Sequence, residues 1–174
     1  MSHFEPLRQS LSASTRPGTF AERARKVTSK ICGQAARRDP GDTSAWVEFL
    51  RDTGSGTCDR VAALLGGEIA VCDTILLEVL AGAQDEKHFH DLRKLLARAT
   101  ILPMAPRHYE EAAALFRLCR REGETVPKLI DCLIGAVAIH ANARVLHSDG
   151  DFAVLARHTG LKIAEGSKGN AAGN

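Results

Sequence analysis

Three carboxylates of this chain lie at places where an acidic side chain needs a partner. Asp131 falls in an otherwise apolar helix start, residues 129–134, where an ionised carboxylate is unfavourable unless something binds it. Asp149 and Asp151 follow a short apolar strand, in the turn formed by residues 148–152. Ligands of open parallel sheets bind beyond the carboxyl ends of the strands. This spacing predicts that the three acids contribute to one ligand site.

Two further acids occupy comparable places earlier in the chain. Asp42 precedes an apolar-periodic helix, and Glu78 interrupts the apolar helix of residues 74–82. Because equivalent ends of parallel strands meet at one edge of a sheet, we expect these acids to converge on the other three. Each acid also has a simpler interpretation. Asp42 could be only a helix N-cap, Glu78 could face solvent, and Asp149 or Asp151 could be only a turn residue.

Five carboxylates at one sheet edge require a counter-charge, since they cannot all stay ionised without one. The sequence has no histidine or cysteine ligands at zinc spacing, so the cluster favours a hard cation, Mg²⁺ or Mn²⁺. Such an ion with open water positions is suited to in-line attack of water on a phosphodiester. The five acids together therefore predict a metal site that could hydrolyse a phosphodiester.

The elements that must position these acids alternate between helices and short apolar strands. Strands are predicted at residues 68–72, 100–104, 144–147 and 161–164, with helical segments between them. The alternation predicts an α/β domain with a parallel sheet and helices on both faces. The glycine-rich motifs of nucleotide-binding folds are missing.

The charge distribution separates the first forty residues from the rest. Residues 1–40 carry eight Lys or Arg against three Asp or Glu, whereas the whole chain has a net charge of only +2. We predict a flexible basic extension at residues 1–40, a nuclease-like domain at 41–164 and a disordered tail at 165–174. A basic extension could touch nucleic acid, although such segments are more often only solvated.

The cysteines and the hydropathy of the chain indicate the cellular compartment in which the protein is expected. The five cysteines are odd in number and lack CxxC spacing, which argues against a disulfide framework and favours a reducing cytosol. No apolar run reaches the ~18 residues that a membrane span needs, and no apolar region near the N-terminus indicates a secretory signal. The sequence therefore predicts a cytoplasmic protein with no membrane contact.

Four short motifs containing the acids occur in order along the chain: DTSAW at residues 42–46, LEVLAG at 77–82, LIDCLI at 129–134 and SDGDF at 148–152. They resemble the ordered motifs of PIN-domain ribonucleases, and most closely those of the VapC-type toxins of bacterial type II toxin–antitoxin pairs. The resemblance implies a three-layer α/β/α fold with a short parallel sheet and a Mg²⁺- or Mn²⁺-dependent endoribonuclease activity. It also implies a tRNA or rRNA substrate, homodimerisation and inhibition by a cognate VapB-type antitoxin.

The same resemblance implies roles for individual residues. The acids that match the family's catalytic, metal-binding set are Asp42, Glu78, Asp131 and Asp149, and Asp151 matches a frequent fifth acid. Thr43 and Ser44 match the polar pair after the first acid, where a hydroxyl can hydrogen-bond the site. Six basic residues could contact RNA phosphates, although they more often form a solvated face: Arg51, Arg93, Lys94, Arg98, Arg107 and Lys128.

The residues before Asp42 depart from the family pattern. In PIN domains an apolar strand runs into the first acid, whereas residues 36–41 here read ARRDPG. Charged residues, and a proline that lacks the ladder donor, are poor material for a central strand. We therefore expect the first strand to be missing or degenerate, its neighbours to be unpaired and Asp42 to be poorly placed.

Three functions remain open on the sequence. The first is a metal-dependent endoribonuclease toxin. The second is a catalytically impaired PIN-like domain that only binds its antitoxin, which the poor first strand motivates and the intact acids oppose. The third is a phosphohydrolase of another α/β fold with a carboxylate nucleophile, but this would need a second Asp two residues after Asp42, where Ser44 stands.

Overall fold

The computed structural model describes residues 38–167, and strands and helices alternate through this part of the chain. The five strands are β1 Asp39–Pro40, β2 Ile69–Val71, β3 Thr100–Ile101, β4 Arg144–Val145 and β5 Lys162–Ile163. The seven helices are α1 Thr43–Arg51, α2 Gly56–Leu64, α3 Asp73–Ala81, α4 Glu86–Leu96, α5 Pro106–Arg121, α6 Leu129–His140 and α7 Asp151–His158.

All the strand pairings among residues 38–167 are parallel. β1 pairs with β2, β2 pairs with β3, and β4 pairs with β5. A single parallel bridge between Gly41 and Leu146 joins the two groups, which places β1 in the middle, between β2 and β4. The α/β class, the short parallel sheet and the three-layer arrangement predicted from the sequence are confirmed.

The expectation of a missing first strand, with unpaired neighbours, is wrong. β1 is only two residues long, but it pairs on both sides. The amide groups of Asp39 and Gly41 donate to the carbonyls of Glu68 and Ala70, at 3.2 Å each. On the other side, the Leu146 amide donates to the Pro40 carbonyl, and the Asp42 amide donates to the Leu146 carbonyl, at 2.9 Å each. Asp42 is therefore held by the sheet itself.

A side chain replaces part of the backbone ladder beside Pro40. Proline has no amide proton to donate, so regular pairing with β4 stops there. The backbone amide of Arg144 donates instead to Asp39 Oδ1 at 3.0 Å, and Arg144 Nε lies 3.4 Å from Asp39 Oδ2. Asp39 is 2% exposed, and the Arg144 side chain compensates its charge. Asp39, one of the charged residues that argued against a strand, therefore helps to form it.

The hydrophobic core lies between the sheet and its helices. Trp46 of α1 and Phe152 of α7 are its largest fully buried side chains, and β2 is buried throughout. Helix α5 packs along α6, and both contact α7. The described cysteines are free and buried: Cys58, Cys72, Cys119 and Cys132. Between residues 38 and 167, no helix is both long and apolar enough to cross a membrane.

The ends of the chain bear on the predicted domain boundaries. The structure describes neither residues 1–37 nor residues 168–174, so most of the predicted extension and tail lies outside it. At the boundaries, the strand β1 begins before residue 41. Residues 165–167, assigned to the tail by sequence, contact the domain. The Gly166 carbonyl accepts a hydrogen bond from Thr57 Oγ1 at 2.7 Å, and the buried Ser167 accepts one from the His147 amide.

Candidate metal centre

The predicted acids lie beyond the carboxyl ends of the strands. Asp42 follows β1 after one residue, and Asp149 follows β4 in the loop that leads to α7. Asp131 stands in the first turn of α6, and Asp151 is the first residue of α7. Because the sheet is parallel, these junctions share one edge, as the sequence predicted.

Asp42 is fixed by its helix and by its neighbours. It is the N-cap of α1, and its Oδ1 accepts hydrogen bonds from the Ala45 amide at 3.0 Å and from Ser44 Oγ at 2.8 Å. Ser44 Oγ in turn accepts a hydrogen bond from the Ser148 amide at 2.7 Å, which ties α1 to the loop that carries Asp149. The N-cap interpretation is thus correct, and it is compatible with a place in the acidic cluster.

Glu78 is linked by a hydroxyl to the residue after Asp42, and it lies outside the group of three acids with neighbouring ligand atoms. Thr43 Oγ1 donates a hydrogen bond to Glu78 Oε2, which joins α1 to α3. Glu78 is partly buried, so it does not simply face solvent, which was the alternative interpretation of this residue. Thr43 and Ser44 therefore each support one acid, Thr43 on Glu78 and Ser44 on Asp42.

Asp131, Asp149 and Asp151 form the centre of the site. One carboxylate oxygen of each lies within 4.8 Å of those of the other two. The Asp151 amide donates to Asp149 Oδ1 at 3.0 Å, which orients that carboxylate. Lys128 Nζ lies 2.7 Å from Asp149 Oδ2 and 3.9 Å from Asp131 Oδ2. Asp131 Oδ2 is buried and has no hydrogen-bond partner.

Burial makes the ionised form of two of the acids unfavourable. Burial raises the pKa of Asp42 to about 7, although hydrogen bonds from Ala45 and Ser44 oppose the change. Burial likewise raises the pKa of Asp131 to about 8, against the opposing charge of Lys128. Burial also acts to raise the pKa of Asp149, but the hydrogen bonds from Lys128 and the Asp151 amide, together with the nearby charges of Lys128 and His147, outweigh it, so that pKa is lowered. Without a further positive charge, Asp131 is held in its protonated form near neutral pH.

The raised pKa of Asp131 predicts an unusual pH dependence of stability. The folded protein holds this proton up to about pH 8, whereas the unfolded chain loses it near pH 3.8. Between these values the folded state binds more protons, so rising pH lowers the free energy of unfolding. We expect Asp131→Asn, which removes this titration, to become more stable than the parent protein as pH rises from about 4 to 8, by on the order of a few kcal/mol.

Urea unfolding of both proteins across this pH range, with EDTA present, measures that difference. Asp59→Asn is the matched control, because Asp59 is an exposed acid on α2. A difference between Asp131→Asn and the parent protein that does not change with pH would contradict the prediction.

The donor set fits a hard divalent cation. It consists of carboxylate oxygens, which Mg²⁺ and Mn²⁺ prefer, and it includes the buried oxygen of Asp131 that accepts no hydrogen bond. A bound cation would give that oxygen a partner and would favour the ionised form of Asp131. Asp131, Asp149 and Asp151 could hold the ion directly. Asp42 is close enough for its charge to act on Asp131, but it lies outside this group of three.

The role of Lys128 was not evident from the sequence, where it stood among six basic residues with no distinguishing feature. Its distance of three residues from Asp131 at a helix start was an available signal, because residues three apart on a helix are neighbours. The structure places its ammonium group against Asp149, whose separation in sequence hides the contact.

A second group of ligand-type side chains lies on α5 and α6 but does not form a comparable site. His108, Glu111 and His140 have potential ligand atoms within 4.8 Å of one another. His108 Nδ1 accepts a hydrogen bond from the Ala105 amide at 3.0 Å, so the proton of the neutral ring lies on Nε2, which has no lone pair for a metal. Arg107 can only donate, so its contact with His140 Nε2 at 2.8 Å occupies the lone pair of that nitrogen, which is then not free for a metal.

Comparison with known proteins agrees with the fold. Residues 42–158 match the family described as the PIN domain, and the chain belongs to this family. Over 127 residues, the chain is 43% identical to VapC ribonuclease Mb1587 of Mycobacterium bovis and to Ribonuclease VapC11 of Mycobacterium tuberculosis, covering 71% of this chain and 95% of each relative. The resemblance to PIN-domain, VapC-type proteins that the four motifs indicated is confirmed.

Proposed function

We propose that this protein is a metal-dependent endoribonuclease toxin that hydrolyses RNA phosphodiester bonds and is neutralised by a cognate VapB-type antitoxin. The observation that carries the proposal is the cluster of Asp131, Asp149 and Asp151, in which a buried oxygen of Asp131 accepts no hydrogen bond. The names of the similar proteins support ribonuclease activity. The substrate proposed is structured RNA, tRNA or rRNA.

In this proposal the residues of the site have three roles: binding the metal, adding negative charge around it and orienting the acids. Mg²⁺ or Mn²⁺, when bound, supplies an activated water and stabilises the leaving oxygen of the phosphodiester. Asp131, Asp149 and Asp151 bind the ion, and Asp42 and Glu78 complete the negative charge around it. Ser44 and Thr43 orient Asp42 and Glu78 through their hydroxyl groups. Orientation by neighbouring hydrogen bonds is what keeps ligands in place around a metal.

Metal removal tests the proposed activity. We expect purified protein treated with EDTA to leave total bacterial tRNA and rRNA intact, because the acids alone supply no activated water. Adding back Mn²⁺ or Mg²⁺ should restore cleavage, whereas Ca²⁺ should restore less, because it prefers more ligands at longer distances. RNA fragments resolved on denaturing gels give the readout. Cleavage that continues unchanged in EDTA would contradict metal dependence.

The partners proposed for this chain are an antitoxin and a second copy of itself. Two exposed apolar side chains beside the acids support a protein partner near the site: Leu77 is 59% exposed and precedes Glu78, and Leu129 is 61% exposed and lies two residues before Asp131. Light scattering of the purified chain measures whether it forms a dimer. We also propose a cytoplasmic location, which the free thiols of the described cysteines support.

No observation favours the antitoxin-binding domain without activity. Its motive was a missing first strand, and β1 is present and paired on both sides. The phosphohydrolase alternative has no support either, because the first acid is held as a helix N-cap by its Oδ1 and is followed by Ser44 in place of a second Asp.

A further inference from the structure

Lys128 lies across the cluster that is proposed to hold the metal. The residue is the N-cap of α6, in extended backbone, and caps the helix with no side-chain hydrogen bond. Its ammonium instead reaches the loop after β4, where Nζ is 2.7 Å from Asp149 Oδ2. The same nitrogen lies 3.9 Å from Asp131 Oδ2, so one cation faces two of the three clustered acids.

The ammonium group uses the oxygens that a divalent cation would use. Mg²⁺ binds carboxylate oxygens at about 2.1 Å. An ion bound to the oxygens of Asp131 and Asp149 would therefore lie within a few ångströms of Nζ in its present position. Two positive charges at that separation repel each other, and they compete for the same lone pairs. The present contact of Lys128 and a bound divalent cation are thus mutually unfavourable.

The Lys128 side chain is able to move away. It is 43% exposed, and it ends in a flexible four-carbon stem. A lysine held by two carboxylates and open to solvent on its other side can exchange those partners for water. Asp131 is buried and cannot make the same exchange.

We propose that Lys128 is an internal counter-ion, which neutralises the acidic cluster while no metal is bound and leaves when a divalent cation binds. This inference rests on the proposed metal-dependent function. It assigns Lys128 two opposite effects. The lysine stabilises the metal-free protein, because it compensates carboxylates that would otherwise repel one another, and it weakens metal binding, because the ion must displace it.

A calorimetric titration of metal-free protein with Mn²⁺ tests the proposal without measuring activity. We expect Lys128→Met to bind Mn²⁺ about tenfold more tightly than the parent protein, because removal of one nearby positive charge favours a second cation. Lys128→Arg keeps the charge and should bind Mn²⁺ no more tightly than the parent. Lys87→Met is the matched control for net charge, since Lys87 is an exposed lysine on α4, and it should leave the affinity unchanged.

Thermal unfolding supplies the second measurement. In EDTA, Lys128→Met should unfold at a lower temperature than the parent protein, and saturating Mn²⁺ should remove the difference. A lysine with only a structural role would lower the unfolding temperature in both conditions and would not tighten metal binding. Both measurements are repeated on Lys128→Gln, which has a neutral polar side chain, in case Lys128→Met does not fold without metal.

The outcomes separate this inference from the proposed function. If the parent protein binds Mn²⁺ and the Met and Gln variants bind it equally or more weakly, the counter-ion role is overturned and the metal site stands. If neither the parent nor any Lys128 variant binds Mn²⁺, both the counter-ion role and the metal-dependent function are overturned.

Discussion

Asp131→Asn is expected to lower metal-dependent RNA cleavage by on the order of 10³-fold. Asp131 is the most buried of the three clustered acids, and its Oδ2 accepts no hydrogen bond in the structure. The neutral amide of asparagine would remove one negative charge and one strong ligand from the metal site. Metal stabilisation of a phosphodiester transition state amounts to several kcal/mol, and each 1.4 kcal/mol corresponds to a factor of ten in rate.

Initial cleavage rates of total tRNA at saturating Mn²⁺ measure this loss. Asp59→Asn, which alters an exposed acid of α2, serves as the control and should retain the parent rate. Because asparagine has the size and shape of aspartate, the variant should fold, and circular dichroism checks that it does. An Asp131→Asn protein that is folded and cleaves within a few-fold of the parent rate would exclude the proposed role of this acid.

Asp39→Ala is expected to lower the free energy of unfolding by about 3 kcal/mol. The substitution removes the acceptor of the Arg144 amide and the charge that compensates the Arg144 guanidinium. The amide and the guanidinium of Arg144 then both lose their contact, at the centre of the sheet, where water cannot fully replace the carboxylate. Loss of one member of a buried pair is more destabilising than loss of a surface pair, because the remaining charge is left without compensation.

Urea unfolding of three variants measures the contribution of this contact. Asp39→Asn keeps an oxygen that can accept from the Arg144 amide, so its loss of stability should lie between those of Asp39→Ala and the control. Glu110→Ala, at an exposed position on α5, is the control and should change stability little. A loss below about 0.5 kcal/mol for Asp39→Ala, which is the usual scale of surface substitutions, would show that the contact does not support β1.

Taken together, the acidic edge combines two demands that oppose each other. A metal site needs several carboxylates close together, and burial makes these carboxylates unfavourable in the ionised form. The raised pKa values of Asp42 and Asp131 show the cost of this arrangement in the absence of a cation. Lys128 reduces that cost for Asp149, whose pKa is lowered. Stability and metal affinity should therefore respond in opposite directions to the same lysine.

Local signals explain why most of the elements could be predicted. Helix α3 was expected at residues 74–82 and occupies Asp73–Ala81, because the apolar run and the N-terminal polar residues lie within one segment. The strand predicted at residues 100–104 is shorter, Thr100–Ile101, since pairing with β2 extends over only two residues. Apolar composition indicates that a strand exists, whereas its length depends on a partner elsewhere in the chain.

The sequence by itself determined the acids and the family. Glu78, Asp131 and Asp149 stand out because each interrupts an apolar segment or follows a predicted strand. Asp42 stands out because it precedes an apolar-periodic helix, and all these features are local. The order of the four motifs then indicated a PIN domain, which the family match confirmed. A parallel α/β sheet was predictable for the same reason, since alternation of strands and helices is visible along the chain.

Only the tertiary structure decided how the first strand forms and what faces the acids. Residues 36–41 are unfavourable for a strand by local preference, yet Asp39 and Pro40 form one because Arg144, 105 residues away from Asp39, supplies both an amide donor and a compensating charge. Lys128 was likewise an ordinary lysine until the fold brought it to Asp149, 21 residues away. In both cases the deciding contact joins residues distant in sequence, so no local pattern could have shown it.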